Sequence, residues 1–234
     1  MRKVLYIAAF ICFGATAKLA WADSFKAALT SYLANDYQAA LPQFQIAAEQ
    51  GNAGAQYFLG EMHDDGLGTP QDYGQALRWY RLAADQGVAA AQLNLGVMHS
   101  QGRGTPQDYG QALRWYRLAA DQGNARAQFN LGFMHSHGRG TPQDYGQALR
   151  WYRLAADQGN AGALRNLGVM HGTGQGTPQD YVRAHMWLNL AGSRGNKAAG
   201  EQRDSYAKQM TPQQVAQAQK MASDCLAKNF KNCD

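Results

Sequence analysis

The sequence predicts an all-α solenoid of tandem helix-turn-helix repeats closed by a C-terminal capping helix. Three observations predict it: glycine recurs at a fixed interval, each interval holds two apolar stripes of helical period, and no insertion or deletion breaks the register. Gly51, Gly87, Gly123, Gly159 and Gly195 stand 36 residues apart throughout. This register defines four full units, 51–86, 87–122, 123–158 and 159–194. A half repeat or cap over 23–50 precedes them, and a partial repeat with the capping helix fills 195–234. Neither helix of a unit can bury its stripe alone, so neighbouring units must supply the rest of each core.

Taken in order, the chain opens with Arg2 and Lys3, an apolar run from Val4 to Ala17, and Ala20-Trp21-Ala22. This is the pattern of a secretory signal peptide cleaved after Ala22, which makes the product periplasmic or secreted. Lys18 cuts the run short of the roughly 20 apolar residues a membrane span needs, and no later stretch could cross a bilayer. Cleavage removes three of the 22 basic residues and no acidic one, leaving 19 against 17, so the formal charge drops from +5 to +2. The basic balance thus belongs largely to the leader and gives no reason to propose nucleic acid as a partner. Cys12 leaves with the leader. In an exported chain the remaining pair, Cys225 and Cys233, is expected to form a disulfide tying the tail to the last helix. The tail has too few other ligands for a metal site.

Within the first unit, Ala55, Leu59, Met62 and His63 form one stripe, with Gly60 leaving room for a second helix to approach. Gly66-Leu67-Gly68 ends this helix, since glycine accepts the left-handed conformation of a C-terminal cap. Asp72 can cap the second helix with Gln75 as its box partner; Thr69 with Pro70 at the first helical position is the rival start. Tyr73, Ala76, Leu77, Tyr80, Ala83 and Ala84 make the second stripe, and Trp79 with Leu82 widens it. At the C-terminus Thr211-Pro212-Gln213-Gln214 starts a helix running to about Asn229, with Val215, Ala218, Ala222 and Leu226 on its buried side.

These residues carry a family resemblance. Ala55, Leu59, Gly60, Gly66, Gly68, Asp72, Ala76, Trp79, Tyr80, Ala83, Ala84 and Gly87 resemble the Sel-1-like repeat, a relative of the tetratricopeptide repeat. Ala184, Met186-Trp187-Leu188 and Ala191 are similar to the usual ending of exported bacterial members. The resemblance implies a right-handed α/α superhelix whose first helices line the concave surface. The chain departs from the family at His63, His99, His135 and His171, where the family usually has Tyr.

Histidines in successive repeats invite a metal reading, but packed helices sit about 8–10 Å apart and zinc ligands must lie about 2 Å from the ion. Packing in the tyrosine's place, with one ring nitrogen hydrogen-bonded, is the expectation; His135 with His137 is the nearer metal pairing. No metal or cofactor is predicted. Ser205-Tyr206-Ala207-Lys208 matches the S-x-x-K of penicillin-recognising serine enzymes without its companion motifs. Some exported, cysteine-rich relatives are associated with β-lactamase-like activity, but they resemble a form with a cysteine pair in every repeat, which this chain lacks. The chain is therefore expected not to be an enzyme, with a β-lactamase-like or cell-wall hydrolase as the rival class.

Variation among the copies is the stronger functional signal. Gly68 to Gly87 is repeated identically in the next two units, while the first helices differ at Tyr57, Leu93, Phe129 and Arg165 and at Glu61, Val97, Phe133 and Val169. Both rows lie opposite the Ala55/Leu59/Met62 stripe, which predicts an exposed face; the resemblance places it in the concave groove. Such an apolar face fits a protein or peptide partner, or a cell-wall glycan, with Glu61, Arg126 and Arg165 setting register and charge. Arg78 and Arg81 fall on the outer side of the second helix as a solvated face.

Overall fold

The computed structural model describes residues 24–231 and 233; the predicted leader, its cleavage site and Cys12 lie outside these. Among the described residues every regular element is an α-helix. Two compact units divide the chain between Asp108 and Tyr109. The first holds α1 (24–33), α2 (Tyr37–Glu49), α3 (Ala53–Asp65), α4 (Tyr73–Asp85) and α5 (Ala89–Gln101). The second holds α6 (Tyr109–Asp121), α7 (Ala125–His137), α8 (Tyr145–Ala156), α9 (Ala161–Thr173), α10 (Tyr181–Ser193), α11 (Lys197–Ala207) and α12 (Pro212–Ala227).

Local chemistry sets the helix ends. Asn52, Asn124, Asn160 and Asn196 each accept a backbone N–H with Oδ1 at the start of a first helix; Val88 stands there in the second repeat and makes no side-chain cap. Asp72, Asp144 and Asp180 cap the second helices, which settles the start in favour of Asp72 over Thr69 and Pro70. First helices end on Gly66, Gly102, Gly138 and Gly174 at φ 71°, 70°, 65° and 73°, the left-handed region that favours glycine. Across each turn the Asp amide donates to a histidine carbonyl, as from Asp144 to His135 at 2.9 Å, and a glutamine side chain adds a second bond, as from Gln143 to the Ser136 carbonyl at 2.8 Å.

In the first unit Phe44, Ala47, Leu59, Met62 and Trp79 share one core, sealed by Phe25, Tyr32 and Phe58 from α1 and α3. In the second, Tyr152, Leu164, Leu167, Trp187, Leu188 and Leu190 form another. Buried glutamines stitch successive hairpins: Gln128 donates through Nε2 to the Ala120 carbonyl at 3.2 Å, and its Oε1 accepts from Gln158 at 2.9 Å. Arg117 stacks over Trp151 at 4.8 Å and Arg153 over Trp187 at 4.7 Å, each reaching a ring in the next repeat.

Leu82, expected within the buried stripe, is 39% exposed, as are Leu118 and Leu154 to similar extents. The 3.6-residue period carries it well round the helix from the Ala76/Tyr80/Ala83 line. Leu226 is likewise exposed on α12, and Cys225 takes the buried place beside Ala218 and Ala222. Thr211 and Gln214 form a reciprocal capping box at the start of α12. The sulfurs of Cys225 and Cys233 are bonded, and α12 rests chiefly on α10. No described helix is long and apolar enough to cross a membrane.

Candidate functional site

The copy-variable rows fall on the first helices, and their surroundings differ between units. In the first unit Tyr57 and Glu61 are half-buried, the Tyr57 hydroxyl donating to the Glu61 carboxylate. Burial pushes the Glu61 carboxyl up, against the pull of that hydrogen bond, and Asp65 and Asp64 push the same way. Val97 is half-buried, but Leu93 is only 3% exposed and does not belong to an open face. Leucine has no polar tip to hold at the surface, as Tyr57 and Arg165 do.

In the second unit Phe129, Phe133, Arg165 and Val169 are all partly exposed and Arg126 is exposed. Phe129 lies over α9, where a Cβ on Gly162 would come 2.8 Å from its ring, and it meets Tyr152 at 5.8 Å between centroids. Phe133 stacks on His137 at 4.1 Å with Arg139 over it at 5.1 Å. The aromatics are thus partly engaged by the chain itself, and this first-helix face is less apolar than the sequence suggests.

A half-open cavity of about 320 Å³ opens beside them, bounded by α7, α8, α9 and α11. Arg165 and Val169 line it together with Ser136, His137, Tyr145, Tyr152, Asn166, Gln175 and Gln202; Phe129 and Phe133 do not. Its polar groups are pre-ordered. Ser136 Oγ stands 2.8 Å from His137 Nδ1 and 3.2 Å from the Tyr152 hydroxyl, and Gln175 donates to the Tyr145 hydroxyl at 3.3 Å. Burial pushes the Tyr152 phenol up, so it stays protonated and able to donate. Arg165 brings the one cationic side chain of either variable row into this cavity, which offers hydroxyl, amide and guanidinium groups over an apolar floor of Val169 and Met170. The sequence reading missed Asn166, Gln175 and Gln202. Gln175 had a signal: its position reads Leu67, Arg103 and Arg139 in the earlier copies, a third variable row, in which Arg103 and Arg139 stack over Tyr73 and Tyr109.

The histidine row is internal. His99, His135 and His171 are buried, and neither ring nitrogen of His99 or His135 has a hydrogen-bond partner, which corrects the expectation of one bonded nitrogen. Desolvation holds all three rings below the ordinary histidine value, with Arg81, Arg117 and Arg183 adding to the shift. His135 and His137 do not converge: one is buried, the other exposed on Phe133. Ser205 and Lys208 are exposed at the end of α11, while Tyr206 between them turns inward onto Gly172 and Tyr181. Neither belongs to the cavity.

Residues 53–88, 89–124, 125–160 and 161–196 each match the Sel1 repeat. The chain belongs to the Sel1-repeat family, whose all-α solenoids are generally protein-interaction scaffolds. Solved structures agree. The chain is similar to c5321, a protective antigen present in uropathogenic Escherichia coli strains displaying an SLR fold, at 36% identity and a TM-score of 0.77, over 83% of this chain and 42% of that one. It is similar to a Sel1 repeat protein from Oxalobacter formigenes at 31% identity and 0.71, over 75% and 71%. A putative Sel1 repeat protein from Klebsiella pneumoniae subsp. pneumoniae, at 22% identity and 0.51, over 82% and 96%, shares the fold. The chain thus spans about two fifths of the E. coli antigen's length. No curated protein matches it.

Proposed function

We propose that this chain is an exported, non-catalytic scaffold that holds a protein or peptide segment against its first helices. The observation that carries the reading is the coincidence of variation and opening. Two positions that differ among the copies, Arg165 and Val169, line the half-open cavity of the second unit, with Phe133 on the same helix face one repeat earlier. A bound segment would rest side chains on Phe133 and Val169 and hydrogen-bond its backbone to Asn166, Gln175 and Tyr152, with Arg165 favouring an acidic group. Export rests on the leader alone, and its processing is read by N-terminal sequencing of the mature protein: a start at Asp23 supports it, retention of Met1 removes it.

The binding reading is tested by titrating a peptide library displayed on phage against the immobilised protein and its Phe133→Ala, Arg165→Ala variant. Selected peptides should lose about tenfold or more in affinity on the variant, equivalent to ~1.4 kcal/mol. Equal affinity for both proteins would place binding elsewhere.

A further inference from the structure

The outer side of the second helices carries a row that the first-helix reading leaves unexplained. Ile46, Leu82, Leu118, Leu154 and Leu190 occupy one register position in successive units. The first four are exposed, Leu118 by 40% and Leu154 by 45%, whereas Leu190 is fully buried. The difference has a visible cause. Leu190 shares a core with Ala222, Cys225, Phe230 and Cys233, so the C-terminal segment is seated over it, and α12 lies on α10. The fold therefore shows what covers this position when it is covered: a helix laid across the second helix of a repeat.

In the second unit the covered and uncovered helices differ in charge. On α6 and α8 the leucine is flanked by Arg114 and Arg117, and by Arg150 and Arg153; on α10, under the cap, the same positions are Met186 and Asn189. α6 and α8 thus each carry two arginines against one aspartate at the C-terminal end, Asp121 or Asp157, whereas α2, uncovered at Ile46, carries no arginine. Beside Leu154 an open apolar cavity of about 460 Å³ is floored by Leu149 and Leu167 and rimmed by Arg150 and Arg153. A solvated face needs neither a repeated exposed leucine nor an apolar hollow next to it. The capping helix itself is a poor fit for this surface: its charged residues are Lys220 and Asp224, with Lys228 just beyond.

We infer that the Leu118/Leu154 face of the second unit docks an amphipathic helix of a partner protein, with leucine-like side chains entering the hollow beside Leu154 and acidic residues facing the arginine rows. The occupant is acidic because Arg114, Arg117, Arg150 and Arg153 make this face of α6 and α8 cationic, and helical because the same register is covered by a helix at Leu190. This face is separate from the first-helix cavity, so the two can fail independently.

The test uses the full-length mature protein and a fluorescein-labelled synthetic helical peptide with leucines on one face and glutamates on the other. A lysine-for-glutamate version and vesicles of phosphatidylglycerol serve as parallel probes. Anisotropy should report binding of the glutamate peptide, a loss of about tenfold or more on Leu118→Glu, Leu154→Glu, and no loss on Phe133→Ala, Arg165→Ala. Unchanged circular dichroism and thermal midpoint of the variant guard against misfolding, and Arg150→Glu, which alters only an exposed side chain, provides a second reading. Absence of glutamate-peptide binding, equal binding of the lysine peptide, retention by both face variants, or binding only to the vesicles would each overturn the proposal.

Discussion

The ring of Tyr152 lies flat against Gly132, where a Cβ would come 2.6 Å from Cδ1. Helices α7 and α8 approach this closely only because residue 132 has no side chain, and the same relation joins Gly60 to Tyr80 in the first unit. Gly132→Ala should cost about 1–3 kcal/mol, because the tyrosine is buried and cannot swing away without opening the core. Chemical denaturation of the variant reads this; an unchanged midpoint would mean that the hairpin tolerates a wider spacing.

Val88 holds the backbone of an N-cap, φ −68° and ψ 107°, next to the φ −66° and ψ 112° of Asn52, yet caps nothing. Val88→Asn should therefore stabilise the protein by roughly 1 kcal/mol through a new bond to the amide of Ala91. A rise in the thermal midpoint is the expected outcome.

Acid should loosen the stack. His99 and His135 are held below the ordinary value of 6.5 by desolvation, each with an arginine lowering it further and an aspartate, Asp108 or Asp144, opposing. The unfolded chain therefore binds protons first as pH falls below that value, and stability present above it is lost as pH drops toward the folded values. Glu61 and Asp64, raised by burial, act in the opposite sense but at lower pH. Thermal midpoints should fall between about pH 7.5 and about pH 5.5, and less so in His99→Phe, His135→Phe. A flat profile would remove the histidines from this role.

Reduction of the Cys225–Cys233 bond, with a sequence separation of 8, should cost about 2.5 kcal/mol by loop entropy. The loss should appear first in the last repeat, where Phe230 and Cys233 help bury Leu190 and Arg194 stacks over Phe230. Hydrogen exchange after reduction should accelerate in α10 and α12 before α6; uniform acceleration would mean that the cap is not locally stabilising.

Much of the fold was legible because a repeat writes its burial pattern several times. Gly66, Asp72 and the Ala76/Tyr80/Ala83 line could be read from one copy and checked against the next. Leu82 was misread because apolar character alone widened the stripe, whereas the helical period places it outside. The stacks of Arg117 on Trp151 and Arg153 on Trp187 were invisible, since they join residues of different repeats that share no stripe. The candidate site was legible only in part. Arg165 and Val169 were marked by variation, and Gln175 carried the same mark in the turn after α9, but Gln202 reaches the cavity from α11, beyond the four full copies, where its polar character singles out no site. Leu93 showed that variation alone does not prove exposure.

The most direct test of the scaffold reading is site-specific photocrosslinking in the producing cell. Benzoylphenylalanine would be placed at Phe133 or Val169 on the first-helix wall, and at Ser223 on the exposed side of α12. A discrete adduct from positions 133 and 169 that is absent from 223 is the predicted result. Adducts that are missing from the wall, or identical from all three positions, would contradict it.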